Sequence, residues 1–96
     1  MAEYKFTEEA EHDLEEITNY TLQQWDVVQT LAYLDGLEAG SQLLADNPGL
    51  GANRDMISEG LFSFPYESHI LYYLRESHGI TIVRVLHQRM DPVKHL

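Results

Sequence analysis

Imidazole and guanidinium gather at one place in this sequence. Ile80-Thr81-Ile82-Val83-Arg84-Val85-Leu86-His87 has the apolar run of a buried strand, and Gln88-Arg89-Met90-Asp91 follows at once. His87 and Arg89 therefore stand at and just beyond a sheet edge. An imidazole there could move a proton near neutral pH, and a neighbouring guanidinium could hold a phosphate or a carboxylate. The plainer alternative for His87 is a strand-end histidine bonded to backbone. The remaining histidines, His12, His69, His78 and His95, form no His-x-x-x-His pair and have no carboxylate at the spacing of a hydrolytic zinc site, so no metal and no cofactor is expected. Nucleophilic catalysis finds little support, because the sequence has no Cys, no Gly-x-Ser-x-Gly elbow and no Gly-rich loop preceding a Lys.

Arg84 is an intruder in its own strand, where Ile80, Ile82 and Leu86 alternate against Val83 and Val85. A lone buried charge is costly, so Arg84 must find a carboxylate or carbonyls. With Arg54, Arg75, Arg89 and Lys94 it completes the cations after Lys5. These five could form one modest positive patch, or they could be scattered partners for Asp55, Glu59, Glu67, Glu76 and Asp91. The formal net charge is -10, and residues 1–48 carry eleven acids against Lys5 alone. A field this negative opposes association with phosphate backbones, so no direct nucleic-acid contact is expected and a protein partner fits better.

The elements that must position these residues are legible as patterns. Tyr4-Lys5-Phe6 is a short strand, and Thr7 caps a helix with Glu8 and Glu9 in its first turn. Ala10, Leu14, Ile17, Thr21 and Trp25 mark its apolar stripe. Asp26 caps a second helix, with Gln29 three residues on and Val27, Leu31, Leu34, Leu37 and Leu44 as its buried stripe. The joint at Trp25-Asp26 is short enough to fold the pair into an antiparallel hairpin, which Asn47-Pro48-Gly49 ends. Gly40 is expected to permit a close approach. Residues 49–60 read as a loop with room for a brief strand near Met56 to Ser58. Strands follow at Leu61–Tyr66, where Pro65 disfavours an inner position, and at Ser68–Arg75, before Glu76-Ser77-His78-Gly79 turns the chain into the last. The fold class is α+β: a β-α-α-β-β-β order with the N-terminal helical hairpin packed on one mainly antiparallel sheet.

Tyr20, Trp25 and Tyr33 have two readings. Aromatics at helical spacing usually face the core, but these three could instead line an apolar groove in which a partner helix lies. Ninety-six residues bury about 60 to 70% of their unfolded surface, enough for one core, so residues 1–96 are expected to form a single domain. The start has no basic n-region and no apolar h-region, and no run reaches the roughly 18 apolar residues of a membrane span. A cytoplasmic location with no membrane contact is expected, and the lack of cysteine fits a reducing compartment.

In order and spacing, several segments resemble ParE toxins of the ParE/RelE superfamily. They are Ala10-Glu11-His12-Asp13-Leu14-Glu15-Glu16-Ile17-Thr18-Asn19-Tyr20, Gln24-Trp25-Asp26, Leu44-Ala45-Asp46-Asn47-Pro48-Gly49-Leu50-Gly51, Ser68-His69-Ile70-Leu71-Tyr72-Tyr73 and Ile82-Val83-Arg84-Val85-Leu86-His87-Gln88-Arg89-Met90-Asp91. The resemblance implies the toxin of a type II toxin-antitoxin pair, neutralised by a ParD-like antitoxin whose C-terminal segment wraps it. It further implies poisoning of DNA gyrase by protein contact, without catalysis. Arg89, Lys94 and His95 in the tail are the expected target contacts, and Tyr20, Trp25 and Tyr33 the expected antitoxin contacts. The related RelE toxins cut messenger RNA on the ribosome. Under that alternative His87, Arg89 and His95 would be the catalytic candidates. Phe62 stands where many relatives carry Arg, which weakens any anion-handling site. A third reading is a nontoxic module that binds only the antitoxin.

Overall fold

A computed structural model describes residues 2–96. In chain order it contains β1 (Glu3–Phe6), α1 (Glu8–Gln24), α2 (Val27–Asp46), a 3-10 turn (Pro48–Leu50), β2 (Ala52–Asn53), β3 (Leu61–Tyr66), β4 (His69–Glu76), β5 (Gly79–His87) and the one-turn α3 (Pro92–His95). The fold is α+β, as expected, with β2 and α3 added to the expected order. The sheet runs β1-β5-β4-β3-β2, with β1 parallel to β5 and all other neighbours antiparallel.

Both helices start where capping side chains dictate. The Thr7 hydroxyl accepts from the Ala10 N–H at 3.1 Å and the Asp26 carboxylate from the Gln29 N–H at 2.8 Å. Ala10, Ile17, Leu37, Leu44 and Ala45 of the helices then pack on Leu71, Tyr73, Ile80, Ile82 and Val85 of the sheet. The other face carries a smaller cluster of Leu61, Tyr72 and Leu86, covered by Ile57 from the loop before β3.

Four expectations are corrected. The alternation along β5 changes phase. Tyr72 pairs with Arg84 and Tyr73 with Ile82, so Val83 is the extra residue of a bulge. Ile80, Ile82 and Val85 therefore face the helices while Val83 and Leu86 face away. The buried stripes stop short of the helix joint. Thr21 and Thr30 are buried, but every residue from Leu22 to Gln29, and Leu31 with them, is exposed, so Trp25, Val27 and Leu31 leave the core. The brief strand is Ala52–Asn53, not Met56–Ser58. Arg54 to Gly60 is spent on a turn in which the Asp55 carboxylate accepts the Gly60 N–H at 2.8 Å and Met56 points fully into solvent. The close approach is made at Gly36, where an added Cβ would land on the Tyr66 hydroxyl; at Gly40 its nearest neighbour would be Leu71 Cδ1 at 3.9 Å.

β2 pairs only with Phe62 and Ser63, so Pro65 lies where β3 is the sheet edge, the position a residue without N–H tolerates. At the opposite side Gly79 has a φ of +143°, and a Cβ there would sit 2.1 Å from the Glu3 carbonyl oxygen. Only glycine lets β1 come this close.

Candidate functional site

β1 covers the edge of β5 only as far as Ile82. Beyond that point the edge is completed by Thr7 and Asp13. The Thr7 N–H donates to the Ile82 carbonyl at 3.0 Å, and the Thr7 hydroxyl donates to the Val83 carbonyl at 2.8 Å while capping α1. One turn further on, the Asp13 carboxylate accepts the Val85 N–H at 2.9 Å. The same carboxylate takes a forked pair from Arg84, Nε at 2.8 Å and Nη2 at 2.9 Å. Arg84 Nη1 turns the other way and donates to the His95 carbonyl of α3. The hydrogen bond to Asp13 raises the Arg84 pKa above its ordinary value, against the opposing pull of burial. Arg84 thus finds both the carboxylate and the carbonyl its surroundings require. Its partner comes from α1 rather than from the acids of the second half of the chain.

Asp13 and Arg84 form part of the wall of a groove of about 710 Å³ that opens beside the hairpin tip. Tyr20, Trp25 and Tyr33 line it from the helices, His69, Val85 and His87 from the sheet, and Met90 and His95 from the tail. Tyr20 is 64% and Trp25 55% exposed. The core reading therefore fails for both, while Tyr33 is half-buried against the hydrophobic core.

A row of rings runs from Tyr66 of β3 into the groove. Tyr33 meets Tyr66 with centroids 5.2 Å apart and His69 at 5.6 Å, and His69 meets His87 edge-on at 5.4 Å. Tyr33 Oη and His69 Nδ1 share a hydrogen bond of 2.6 Å. Burial lowers the His69 pKa, the neighbouring His87 lowers it further, and Asp13 partly offsets both. Burial raises the Tyr33 pKa. Both shifts favour the uncharged form of the Tyr33–His69 pair. His87 Nδ1 accepts the Arg89 N–H at 3.1 Å, so a neutral His87 holds its proton on Nε2.

The expected contact residues are only partly brought together. Tyr20, Trp25, Tyr33, His87 and His95 share the groove, whereas Arg89 and Lys94 do not line it. The cations form no single patch. Arg54 donates to the Ser63 hydroxyl at 2.8 Å, Arg75 lies over the Phe62 ring at 5.6 Å, and Arg84, in the middle of the β4–β5 ladder, is turned to Asp13. Phe62 also stacks on Tyr73 at 5.7 Å, so it serves the core rather than an anion. Among the described residues no three His, Asp or Glu side chains converge as a metal site would need.

Two residues escape sequence reasoning. Asp13 looks like one more acid of an acidic helix, yet it is only 6% exposed. Its signal is position, three residues after Ala10 and four before Ile17, on the buried seam. His69 is found by counting back from the Ser77-His78 turn, which sets β4 against β5 and, once the bulge is allowed for, places His69 opposite His87.

Residues 4–92 match the family model described as the ParE toxin of the type II toxin-antitoxin system, parDE. The chain belongs to the ParE toxin family. It is 33% identical over 96 residues to Toxin ParE1 of Caulobacter vibrioides, spanning 100% of this chain and 99% of that protein. It is 38% identical over 94 residues to Toxin ParE1 of Mycobacterium tuberculosis H37Rv, spanning 97% and 96%. A solved chain of a chromosomal ParDE toxin-antitoxin system from P. aeruginosa superposes with a TM-score of 0.76 at 19% identity over 91% of this chain and 96% of its own, which shows a shared fold. This is accordingly a ParE-type toxin of a type II toxin-antitoxin system, and the groove belongs to a fold that ParE toxins share.

Proposed function

We propose that this ParE-type toxin acts in the cytoplasm by protein contact on DNA gyrase, without catalysis, and is neutralised by a ParD-like antitoxin that covers the groove and the hairpin tip. One observation carries the reading. The groove's single guanidinium is committed to Asp13 and to a carbonyl, and the exposed Tyr20 and Trp25 with the half-buried Tyr33 suit a protein partner rather than a phosphate. Among aromatics at interfaces, Trp and Tyr are the usual anchors, so Trp25, Tyr20 and Tyr33 are the residues an antitoxin segment would seat against. That segment should carry Arg or Lys to meet a chain of charge -10. Arg89 and Lys94, outside the groove, and His95, in its tail-side lining, are assigned to the target.

A supercoiling assay with purified gyrase tests the first half. Inhibition at micromolar toxin with accumulation of cleaved DNA supports it. Intact supercoiling together with cut messenger RNA in a translation extract would replace it with the ribonuclease reading and direct attention to His87, Arg89 and His95. If neither activity appears but the protein co-purifies with the product of the neighbouring open reading frame, it is an antitoxin-binding module alone. A neighbour that neither co-purifies nor rescues growth would overturn the antitoxin claim.

A further inference from the structure

We propose that Asp13 and Arg84 form a latch that docks the C-terminal turn on the body of the toxin, which makes Asp13 a positioning residue for the tail's target contacts. The second half of that statement rests on the gyrase reading above.

Few polar contacts hold the tail otherwise. Gln88 still belongs to the sheet end, its N–H donating to the Ser68 carbonyl at 2.8 Å. After that the bonds are local. Met90 reaches back only to His87, Val93 and Lys94 bond to Asp91, and Leu96 bonds to Pro92. Packing is partial: Met90 and Leu96 are 37% and 42% exposed, Val93 is 68% exposed, and Pro92 is half-buried. Among the described residues, one hydrogen bond ties residues 91–96 to the body: Arg84 Nη1 to the His95 carbonyl. That carbonyl lies at the end of a one-turn helix, where acceptors lack helical partners and a cation is favoured.

Arg84 can offer this bond because Asp13 fixes it. A guanidinium is planar, so a carboxylate that grips Nε and Nη2 leaves Nη1 aimed to the opposite side with no rotational freedom. Asp13 is fixed in turn by the Val85 N–H, and it is buried, so a partner entering the groove cannot easily compete for it. The fork thus transmits the position of α1 to the tail that carries Arg89, Lys94 and His95. A lysine at position 84 could keep the charge pair with Asp13, but a single ammonium cannot reproduce two arms pointing in opposite directions.

The test uses the full chain with R84K and D13N, comparing backbone amide relaxation of Val93–Leu96 with that of the sheet, and gyrase inhibition. The proposal expects tail amides as rigid as the sheet in the unaltered protein and freely mobile in R84K, with strand amides unchanged. It also expects about a tenfold weaker inhibition. A purely structural ion pair would be rescued by lysine, so tail amides that stay rigid in R84K overturn the latch. D13N should release the tail in the same way; should it fail to fold, R84K decides alone. A mobile tail with undiminished inhibition would overturn the positioning role. If the unaltered protein leaves gyrase untouched, the functional reading falls, while the relaxation data still decide the latch.

Discussion

The two ends of the helical hairpin use the same kinds of side chain for opposite purposes. At the base, Ala10, Leu37, Leu44 and Ala45 are sealed against the sheet. At the tip, Tyr20, Leu22, Trp25, Val27, Val28 and Leu31 present an apolar surface to solvent. Local sequence treats the two ends alike, since both carry apolar residues at helical spacing. What separates them is whether a strand lies underneath, and that depends on residues far along the chain. Under the proposed function, this solvent-facing apolar cluster is where the antitoxin completes the burial.

The largest effect should come from the base. Leu44→Ala removes a fully buried side chain and should cost about 2 to 5 kcal/mol in denaturant unfolding. Val28→Ala at the tip, where the side chain is 75% exposed, should stay within about 0.5 kcal/mol. A tip penalty as large as the base penalty would erase the distinction. Next comes Gly79→Ala. The new Cβ has no room beside the Glu3 carbonyl, so a loss of about 1 to 3 kcal/mol is expected, with faster hydrogen exchange at the β1 amides; unchanged exchange there would show that β1 does not depend on the close approach.

Trp25→Ala sharpens the contrast from the other side. Stability should move by no more than about 0.5 kcal/mol, while affinity for the antitoxin, measured by calorimetry, should fall at least about tenfold. Loss of stability without loss of affinity would return Trp25 to the core.

The smallest effect concerns pH. The folded-state pKa of His69 is depressed below its ordinary 6.5, so as pH falls through that value the unfolded chain takes up a proton before the folded one does. Stability therefore declines as pH falls from 6.5 toward the folded pKa, and the protonation of His69 contributes nothing to stability above that window. Comparing His69→Gln with the unaltered protein across pH 7 to 5 checks this: the variant should lack that part of the decline.

Local chemistry made much of the frame legible. Thr7 and Asp26 announce their helices by capping, the spans of β3 and β5 follow from β-rich runs between turns, and Asn47-Pro48 ends α2 where proline must. The misses share one cause. The bulge at Val83, the exposure of Val27 and Leu31 and the tight contact at Gly36 are set by how distant elements meet. Of the groove, Tyr20, Trp25 and Tyr33 could be grouped as one lining from their helical spacing, but the histidines of the sheet and tail could not be joined to them. Asp13 needed the β5 edge to give it a role, because an acid on an acidic helix gains meaning only from the strand beside it.

The position of β5 has a consequence for how the molecule comes into being. It is the last strand in sequence but lies between β1 and β4 in the sheet, and Thr7 and Asp13 contact it across 76 and 72 residues. Such distant pairings are entropically expensive to close and slow to form. During synthesis, β1 has no strand to pair with, and Thr7 and Asp13 no edge to complete, until β5 at the end of the chain has been made. The nascent polypeptide therefore cannot assemble the groove while most of it is still being translated. A toxin built in this order is withheld from its surroundings until its final strand arrives, which gives an antitoxin already present time to meet it as it folds.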